Sequence, residues 1–372
     1  MLDKLPQSEF GDHMRSGLQP VALNVGLETS QILGHVNSKK ILVTGGASFI
    51  GSHLVEALVF LGANVVVVDD LSSGTLENLE NVKSDINLIE ADVRSVSAKD
   101  SNFSNLDGVF HLAAVHGGRG FIESYPFDCA QNVALDAAAI GLAVKNNAAW
   151  FTIASSACAY PTKEQGIGAR NLLREDLIAW DPAHGIEPDG YYGWAKMYGE
   201  VLLSSASKQT GITGTAARIF TAYGERENES HAAVALLLKG MLKLNPYPVW
   251  GDGTQTRNFT YVGDTVAGLL ATLLHKPGMH ALNIGTQSHV SVNEFCDEVF
   301  HQLDWRPEAI DYQRDMPRGV ASRASDNTKI LELSGWEPKT SIQYGINQMI
   351  NYWNERLDGY DVRQLQSKLL AR

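Results

Sequence analysis

The chain has 372 residues, of which 44% are hydrophobic and 19% charged, and it carries a formal net charge of -12. This balance is typical of a globular protein with two domains or one large α/β unit. The acidic composition argues against binding to nucleic acid, because the sequence shows no local basic stripe that would attract phosphates.

Cysteine usage and apolar runs indicate where the protein works. Cys129, Cys158 and Cys296 are few, odd in number and far apart, which argues against a disulfide framework and predicts a reducing, cytoplasmic compartment. No apolar run reaches the roughly 18 residues that a membrane span needs, so we expect no membrane association. Residues 1–38 mix charges with glycine and proline and lack a signal-peptide core, and we interpret them as an N-terminal extension outside the main fold.

Between residues 39 and 220, short apolar runs alternate with segments of helical spacing. The runs predict buried parallel strands at 41–44, 64–69, 87–90, 108–112, 150–153 and 213–218. The segments between them predict helices at 52–61, 132–145 and 192–207. This alternation predicts an α/β fold of the Rossmann type, in which a doubly wound parallel sheet forms the first domain.

After residue 220 the pattern loosens. We expect a glycine turn at 251–253, an extended stretch at 246–248, and helices at 292–303 and 340–354. A further strand at 283–285 predicts that part of 255–290 returns to the first domain. Residues 221–372 are therefore interpreted mainly as a smaller C-terminal substrate-binding lobe.

A glycine turn lies between the first predicted strand and the first predicted helix. It reads TGGASFIG from Thr44 to Gly51, and such glycines let backbone N–H groups approach a pyrophosphate at the helix N-terminus. Asp69 ends the second strand, where a carboxylate binds ribose hydroxyls and repels a 2′-phosphate, so NAD is favoured over NADP. The cofactor contacts expected from this turn and from the ends of the following strands are Gly45, Ser48, Phe49, Ile50, Gly51, Asp69, Asp92, Val93, Leu112, Ala113 and Ala114.

Two of these positions carry particular expectations. Ser48 stands where glycine is usual, so its side chain is expected either to crowd the cofactor or to add a hydroxyl contact. Asp92 follows the third predicted strand and is a candidate contact for the adenine.

Tyr192 and Lys196 have the Tyr-x-x-x-Lys spacing, which places them one turn apart on one helix face. A nearby ammonium lowers a phenol pKa from about 10, so Tyr192 could remove the proton of a sugar hydroxyl while a hydride leaves to NAD. Ser156 ends the preceding strand and is the third candidate of this redox set. Tyr192 and Lys196 are also expected to contact the cofactor.

The glycine turn, Asp69, Ser156, Tyr192 and Lys196 together resemble the extended short-chain dehydrogenase/reductase family, whose members act mostly on nucleotide sugars. The similarity runs from about residue 40 to residue 353. Within the family it is greatest to the GDP-mannose 3,5-epimerases, on segments AAVHGGRGFI (113–122), SSACAY (155–160), WGDGTQTR (250–257) and on residues 319–326. The resemblance implies a nucleotide-diphosphate sugar as substrate and a homodimer.

The resemblance also implies roles in proton transfer. Ser156 would hydrogen-bond the oxygen that is oxidised, and Cys158 holds the position that faces C5 of the sugar. Ala157 stands where sugar 4,6-dehydratases have an acid, which disfavours 4,6-dehydration. The second proton carrier of the resembling enzymes is a lysine, and the matching position holds His231, which titrates near neutral pH. A nearby imidazolium would also favour the thiolate of Cys158. His116, in the glycine-rich loop, is a further candidate that ranks no higher than His231.

Substrate contacts follow from the same resemblance. Arg257 and Arg323 match arginines that hold the diphosphate, a task for which a guanidinium suits because it makes bidentate contacts. Thr221 stands where these enzymes usually have an asparagine, so it keeps a hydroxyl but lacks an amide. The full set of candidates is His116, Gly117, Gly118, Arg119, Thr221, Lys239, Gln255, Arg257 and Arg323.

The sequence therefore predicts an NAD-dependent nucleotide-sugar epimerase that needs no metal. Tyr192 and Lys196 would oxidise C4 transiently, and Cys158 and His231 would exchange protons at C3 and/or C5 before C4 is reduced again. One alternative is a C4 epimerase of, for example, a UDP-sugar, which does not need Cys158. Two others are a dehydratase in which Cys158 takes the C5 proton, and a non-enzymatic NAD-binding regulator.

Overall fold

A computed structural model of the protein describes residue 20 and residues 29–178, 186–274 and 276–370. Thirteen strands lie in these described ranges: β1 Lys40–Thr44, β2 Asn64–Asp69, β3 Ile86–Glu90, β4 Gly108–His111, β5 Trp150–Ser156, β6 Thr213–Ile219, β7 Ala222–Tyr223, β8 Tyr247–Trp250, β9 Thr256–Arg257, β10 Thr260–Tyr261, β11 Met279–Ile284, β12 Val290–Ser291 and β13 Ile310–Gln313.

The same ranges contain twelve α-helices: α1 Thr29–Val36, α2 Phe49–Phe60, α3 Arg119–Ser124, α4 Pro126–Ala130, α5 Asn132–Lys145, α6 Gly190–Thr210, α7 Ala232–Met241, α8 Val262–Ala271, α9 Val292–Gln302, α10 Thr328–Ser334, α11 Ile342–Asn354 and α12 Val362–Leu370. Short 3-10 turns connect several of them, including Ala157–Ala159 directly after β5.

The main sheet has seven strands in the order β11-β6-β5-β4-β1-β2-β3. Every neighbouring pair in it is parallel. The order runs outward in both directions from β1 and β4, which makes this a doubly wound sheet and confirms the predicted Rossmann-type fold. β11 pairs with β6, so the chain returns to the first domain after building part of the second.

Alternation within single strands fills a core on each face of the sheet. In β2, Val65 and Val67 join one hydrophobic cluster, whereas Val66 and Val68 join the opposite one. The first cluster lies under α2 and α8, and the second lies under α5 and α6. A strand buried on both faces reads as a continuous apolar run, which explains why NVVVVD shows no polar alternation.

The C-terminal lobe contains three two-stranded sheets, β10 with β7, β12 with β9, and β13 with β8. Helices α7, α9 and α11 pack together beside them. The capping box of Ser291 and Glu294 begins α9, because each side chain binds the backbone N–H of the other residue. The glycine turn expected at 251–253 and the strand at 247–250 are both present.

The N-terminal segment differs from its expected role as an extension outside the fold. Residues 1–19 and 21–28 lie outside the described part of the chain, but α1 is packed into the molecule. Ile32 and Val36 on α1 are fully buried in the core cluster. The extension therefore does not reach residue 38, because α1 belongs to the main fold.

Pro126–Lys145, which contains α4 and α5, is long and apolar enough to cross a membrane by length and composition alone. One such segment is weak evidence for a membrane span, because a core helix of a globular protein passes the same test. Of its most apolar window, 44% is buried inside the protein. α5 packs against α6 and β4, which is the position of a core helix in a doubly wound sheet.

Candidate active site

Gly45 and Gly51 allow the turn between β1 and α2 to pack tightly. Gly45 has a φ of +72°, and a Cβ on it would lie 2.6 Å from the backbone nitrogen of Ala113. A Cβ on Gly51 would overlap the carbonyl oxygen of Gly45. The turn is therefore packed directly on the end of β4, with the N-terminus of α2 facing the cavity, and it fits the pyrophosphate of a dinucleotide.

Ser48 and Asp69 both stabilise this turn. The Ser48 hydroxyl donates to the carbonyl of Gly45 at 2.8 Å. The Asp69 carboxylate accepts from the backbone nitrogens of Ala47 and Leu71 at 2.8 and 2.9 Å. Burial raises the pKa of Asp69, against these hydrogen bonds that lower it. The position of Asp69 at the end of β2 is the one predicted for a ribose contact.

Asp92 and Val93 follow β3. The Asp92 carboxylate binds Arg94 through its Nε and Nη2, and this hydrogen bond holds the pKa of Asp92 below its usual range. Val93 is buried against the sheet. The expected adenine contact of Asp92 stays a prediction, and any ligand there would meet a carboxylate already paired with a guanidinium.

A cavity of ≈ 300 Å³ opens at the carboxyl ends of the central strands. Ser156, from the end of β5, lines it together with Tyr192 and Lys196 from α6. The Lys196 Nζ donates to the carbonyl of Ala154 at 2.9 Å and lies 5.7 Å from the centre of the Tyr192 ring. Most of the predicted cofactor contacts line the same cavity: Gly45, Ser48, Phe49, Ile50, Gly51, Leu112 and Ala114.

The electrostatics of Tyr192 differ from the sequence expectation. Burial raises the pKa of its phenol above the usual 10, with Cys158, Cys129 and Asp136 adding to the increase, and only Ser156 opposes it. Burial also lowers the pKa of Lys196. The sequence predicts that the ammonium lowers the pKa of Tyr192, whereas burial of the phenol raises it.

A buried chain of polar groups lies behind Lys196. His111 hydrogen-bonds Thr44 Oγ1 through Nδ1 at 2.6 Å and Asp136 through Nε2 at 3.1 Å. Asp136 is fully buried, and its charge favours the ammonium form of Lys196. The carboxylate therefore offsets part of the desolvation cost that burial imposes on Lys196.

His116 and His231 meet at the far wall of the cavity, with ring centroids 5.5 Å apart. His231 Nδ1 donates to the buried carboxylate of Glu227 at 3.0 Å. Burial, together with the charges of His231 and Lys196, lowers the pKa of His116, so its ring is neutral near pH 7. Both imidazoles are thus placed beside the redox set, and Glu227 orients the one that the sequence favours as proton carrier.

Cys158 lies in the 3-10 turn after β5, with its backbone N–H donating to Ser156 Oγ at 3.1 Å. Its sulfur accepts a hydrogen bond from Arg323 Nη1 at 3.4 Å. The cation beside the thiol is therefore a guanidinium, where the sequence suggested an imidazolium. The other nitrogens of Arg323 donate to Gln165 and Asp189. Neither Cys158 nor Arg323 is among the residues that line the cavity of ≈ 300 Å³ or the neighbouring cavity of ≈ 510 Å³.

A second cavity of ≈ 510 Å³ adjoins the first and shares His116, Gly117 and Gly118 with it. Four further predicted substrate contacts line it: Arg119, Lys239, Gln255 and Arg257. Thr221 lines the first cavity instead.

Four cationic side chains line the second cavity among uncharged residues: Arg119, Lys239, Arg257 and Arg318. Burial lowers the pKa of Lys239 to about 8, and burial together with Arg323 lowers that of Arg257 to about 10. The Arg257 nitrogens donate only to backbone carbonyls among the bonds that the structure gives them, those of Thr256 and Arg318. Arg119 and Arg318 pair with carboxylates, and the cationic groups in this wall suit the cavity to a diphosphate.

The structure adds three acidic residues that the sequence reading missed. Asp189 binds Arg119 and Arg323, Glu227 binds His231, and Asp136 lies behind Lys196. Of the three, only Glu227 could have been found from local spacing, because it precedes its partner His231 by four residues. The partners of Asp189 and Asp136 are distant in sequence, so no spacing rule could find them.

This fold, with a glycine turn at the sheet edge and a Tyr-x-x-x-Lys pair facing one cavity, defines a dinucleotide-dependent enzyme. A family model described as "NAD dependent epimerase/dehydratase family" matches residues 41–285. The chain belongs to this family. Its resemblance to extended short-chain dehydrogenases/reductases is thereby confirmed, as are NAD as the cofactor and the assignment as an enzyme of the nucleotide-sugar epimerase/dehydratase family.

Two curated relatives illustrate the range of the family. A Methanocaldococcus jannaschii protein named "Putative UDP-glucose 4-epimerase" is 33% identical over 316 residues, covering 84% of this chain and 97% of the relative. GDP-mannose 3,5-epimerase 1 of Oryza sativa subsp. indica is 30% identical over 334 residues, covering 87% and 85%.

Solved structures agree on the architecture. UDP-glucose 4-epimerase of Thermotoga maritima, solved with UDP-glucose, superposes with a TM-score of 0.75 at 27% identity, covering 86% of this chain and 99% of that one. UDP-glucuronic acid 4-epimerase of Bacillus cereus, solved with UDP-glucuronic acid and NAD, has a TM-score of 0.75 at 26% identity, covering 85% and 99%.

Proposed function

We propose that this enzyme inverts C3 and/or C5 in the sugar of a nucleotide-diphosphate sugar, through a transient ketone at C4. The observation that carries the proposal is the turn after β5. It places Ser156 in the cavity with Tyr192 and Lys196, and two residues later it places Cys158 beside a guanidinium. One member of the redox set, Ser156, and the candidate carbon base Cys158 thus lie at the same turn.

Bound NAD supplies a hydride acceptor for C4 and returns the hydride at the end of the cycle, so no external oxidant is consumed. Tyr192 takes the proton of the C4 hydroxyl, with Ser156 hydrogen-bonded to the same oxygen and Lys196 stabilising the phenolate. The resulting ketone acidifies the neighbouring C–H bonds, because the electron pair left behind is delocalised onto the carbonyl oxygen.

Cys158 then removes a proton from carbon: the C–H bond breaks, an S–H bond forms, and the electrons become an enolate. His231 returns a proton to the opposite face, so the carbon is inverted without net oxidation. Glu227 supports this role, because a carboxylate on Nδ1 fixes the ring orientation and stabilises the protonated imidazole. His116 stays the second candidate, next to His231.

The second cavity would hold the nucleotide diphosphate. Arg119, Lys239 and Arg257 present cationic groups along its wall, and Gln255 adds an amide. Among these, the incompletely paired Arg257 is the best candidate for a bidentate phosphate contact, because its described partners are two backbone carbonyls.

A C4 epimerase is the second candidate, because the Methanocaldococcus jannaschii relative and the Thermotoga maritima structure bear that activity in their names. Such an enzyme reduces the ketone from its other face. It needs Ser156, Tyr192 and Lys196 but has no use for Cys158.

Proton exchange at carbon distinguishes the proposed C3/C5 epimerase from a C4 epimerase. We expect the enzyme, incubated with UDP- and GDP-sugars in heavy water, to introduce deuterium at C3, C5 or both, as seen by NMR. Cys158→Ala should abolish this exchange, whereas Cys296→Ala, a buried cysteine on α9, should retain it. Tyr192→Phe should abolish turnover and still bind NAD. Inversion at C4 without solvent deuterium would instead establish the second candidate, and an unsaturated product would indicate dehydration.

We also propose a homodimer in the cytoplasm. Helix α6 exposes Tyr191, Trp194 and Tyr198, of which 65%, 48% and 50% are accessible. These positions repeat at helical spacing on one face of α6, the face that a second copy of the chain would cover. The three cysteines, all in the described part of the chain, are free thiols, as a reducing compartment favours.

A further inference from the structure

Asp189 joins three parts of the active site through one buried carboxylate. Arg119 Nη1 donates to both of its oxygens at 2.9 Å, and Arg323 Nη2 donates to one of them at 3.1 Å. Arg119 comes from the glycine-rich loop and Arg323 from the C-terminal lobe. The Asp189 side chain is 7% exposed and that of Arg323 is 9% exposed, so this cluster is largely removed from water.

The backbone of Asp189 is also hydrogen-bonded to its surroundings. Its N–H donates to the carbonyl of Cys158 at 2.9 Å, and its own carbonyl accepts from Gly193 at 3.2 Å. A Cβ on Gly193 would overlap the same Cys158 carbonyl, so helix α6 lies directly on the turn that carries the thiol. These contacts place Asp189 directly between the Cys158 turn and the helix that carries Tyr192 and Lys196.

Arg323 is oriented on three sides by this arrangement. Its Nε donates to Gln165 Oε1 at 2.6 Å, its Nη2 to Asp189 at 3.1 Å, and its Nη1 to the sulfur of Cys158 at 3.4 Å. Because a guanidinium is planar, two directed bonds determine where its third edge points. Gln165 and Asp189 together thus aim Nη1 at the sulfur.

Two guanidiniums and two carboxylates make up the cluster beside that sulfur. Arg119 pairs with Asp189 and, through Nε, with Glu123 at 2.7 Å, and Arg323 pairs with Asp189. Burial would raise the pKa of Asp189, but the two arginines outweigh it and hold the carboxylate ionised. The ionised carboxylate in turn holds the Arg323 guanidinium against the sulfur of Cys158.

A charge on Cys158 acts on other ionisable groups. It raises the pKa values of Tyr192 and Lys196 on α6, of Cys129 on α4 and of Arg257 on β9. Arg323 is the cation whose hydrogen bond reaches the sulfur. The influence of Asp189 on proton exchange therefore passes through Arg323.

We infer that Asp189 is a positioning residue for proton exchange at carbon: it holds Arg323 against the sulfur of Cys158 and touches no part of the sugar itself. The inference rests on the proposed role of Cys158 as the carbon base. During the step, the sulfur gains the proton of the C–H bond while the carbon electrons move into the enolate, and Arg323 stabilises the sulfur before and after. Hydride transfer at C4 does not use this contact.

The test compares the two half-reactions in Asp189→Asn. Single-turnover absorbance at 340 nm reports transient NADH, and NMR in heavy water reports deuterium at carbon. We expect the deuterium exchange rate to fall at least about tenfold, while NADH formation and KM stay within about threefold, since the asparagine can no longer bind both arginines as an anion. Asp297→Asn, which removes the carboxylate of a surface pair with Arg306, is the control and should change neither rate.

Gln165→Met provides a second variant if Asp189→Asn does not fold. It removes the oxygen that accepts from Arg323 Nε and leaves Arg323 itself in place, so it should show the same selective loss of exchange. Equal losses of exchange and NADH formation, or an exchange rate like that of the wild type, would overturn the inference. Absence of exchange in the wild-type enzyme would instead refute the proposed function on which the inference rests.

Discussion

Gly45→Ala tests whether the glycine turn is built for the cofactor. Gly45 has a φ of +72°, a conformation that costs an L-residue about 1–2 kcal/mol. The new Cβ would lie 2.6 Å from the backbone nitrogen of Ala113, whereas ordinary contact begins at 3.4 Å, so the turn or the end of β4 must move by about 0.8 Å. Because a misplacement of about 1 Å costs on the order of 100-fold, we expect NAD affinity to fall roughly 10- to 100-fold, up to about 2.8 kcal/mol.

Isothermal titration with NAD measures this change directly. Gly335→Ala is the matched control, because Gly335 has a φ of +70° at the end of α10 and nothing lies within 4 Å of its Cβ position. It should lose a similar 1–2 kcal/mol of unfolding free energy through backbone strain, roughly, and keep its NAD affinity. An affinity for NAD in Gly45→Ala within about twofold of the wild type would refute the assignment of this turn to the pyrophosphate.

Two further predictions concern stability and assembly. Burial, followed by the charge of Arg226, lowers the pKa of His53 from 6.5 to about 3; the unfolded chain therefore binds a proton at a pH where the folded one does not. The contribution of His53 is complete above pH 6.5 and decreases as the pH falls, by at most about 1.4 kcal/mol per unit. His53→Gln, which keeps a donor for the Glu225 carbonyl, should flatten this acid loss in urea titrations at pH 5 and 7, and an unchanged slope would contradict the assignment. On α6, Trp194→Glu should convert the proposed dimer to a monomer in sedimentation velocity, whereas Leu331→Glu on the exposed side of α10 should not; a wild-type monomer would refute the dimer.

The secondary structure of each segment could be predicted from the residues of that segment alone. Strand β2 shows this best, since four consecutive valines between Asn64 and Asp69 match a strand buried on both faces. The glycine turn and the Tyr192–Lys196 spacing are equally local, because they depend on residues within one turn or one strand–helix junction. For these features the structure confirms the positions that the sequence predicts.

Electrostatics was less accessible from the sequence. Tyr192 and Lys196 lie one helical turn apart as predicted, but burial raises the phenol pKa where the sequence predicts a decrease. The spacing specifies which charges are close along a helix, whereas burial depends on everything packed around that helix. Desolvation is the largest cause for both side chains, and no local pattern reports it.

The chain by itself determined the doubly wound sheet, the dinucleotide turn and the pairing of Ser156 with Cys158 on one turn, because periodicity and short spacings encode these features. Tertiary structure alone decided which cation reaches the thiol. Asp189 meets Arg119 across 70 positions and Arg323 across 134, so their contact depends on how the loop, the helix and the C-terminal lobe pack together. Such contacts are set by the packing of distant segments, and this is why the sequence suggested an imidazole where the folded protein places a guanidinium.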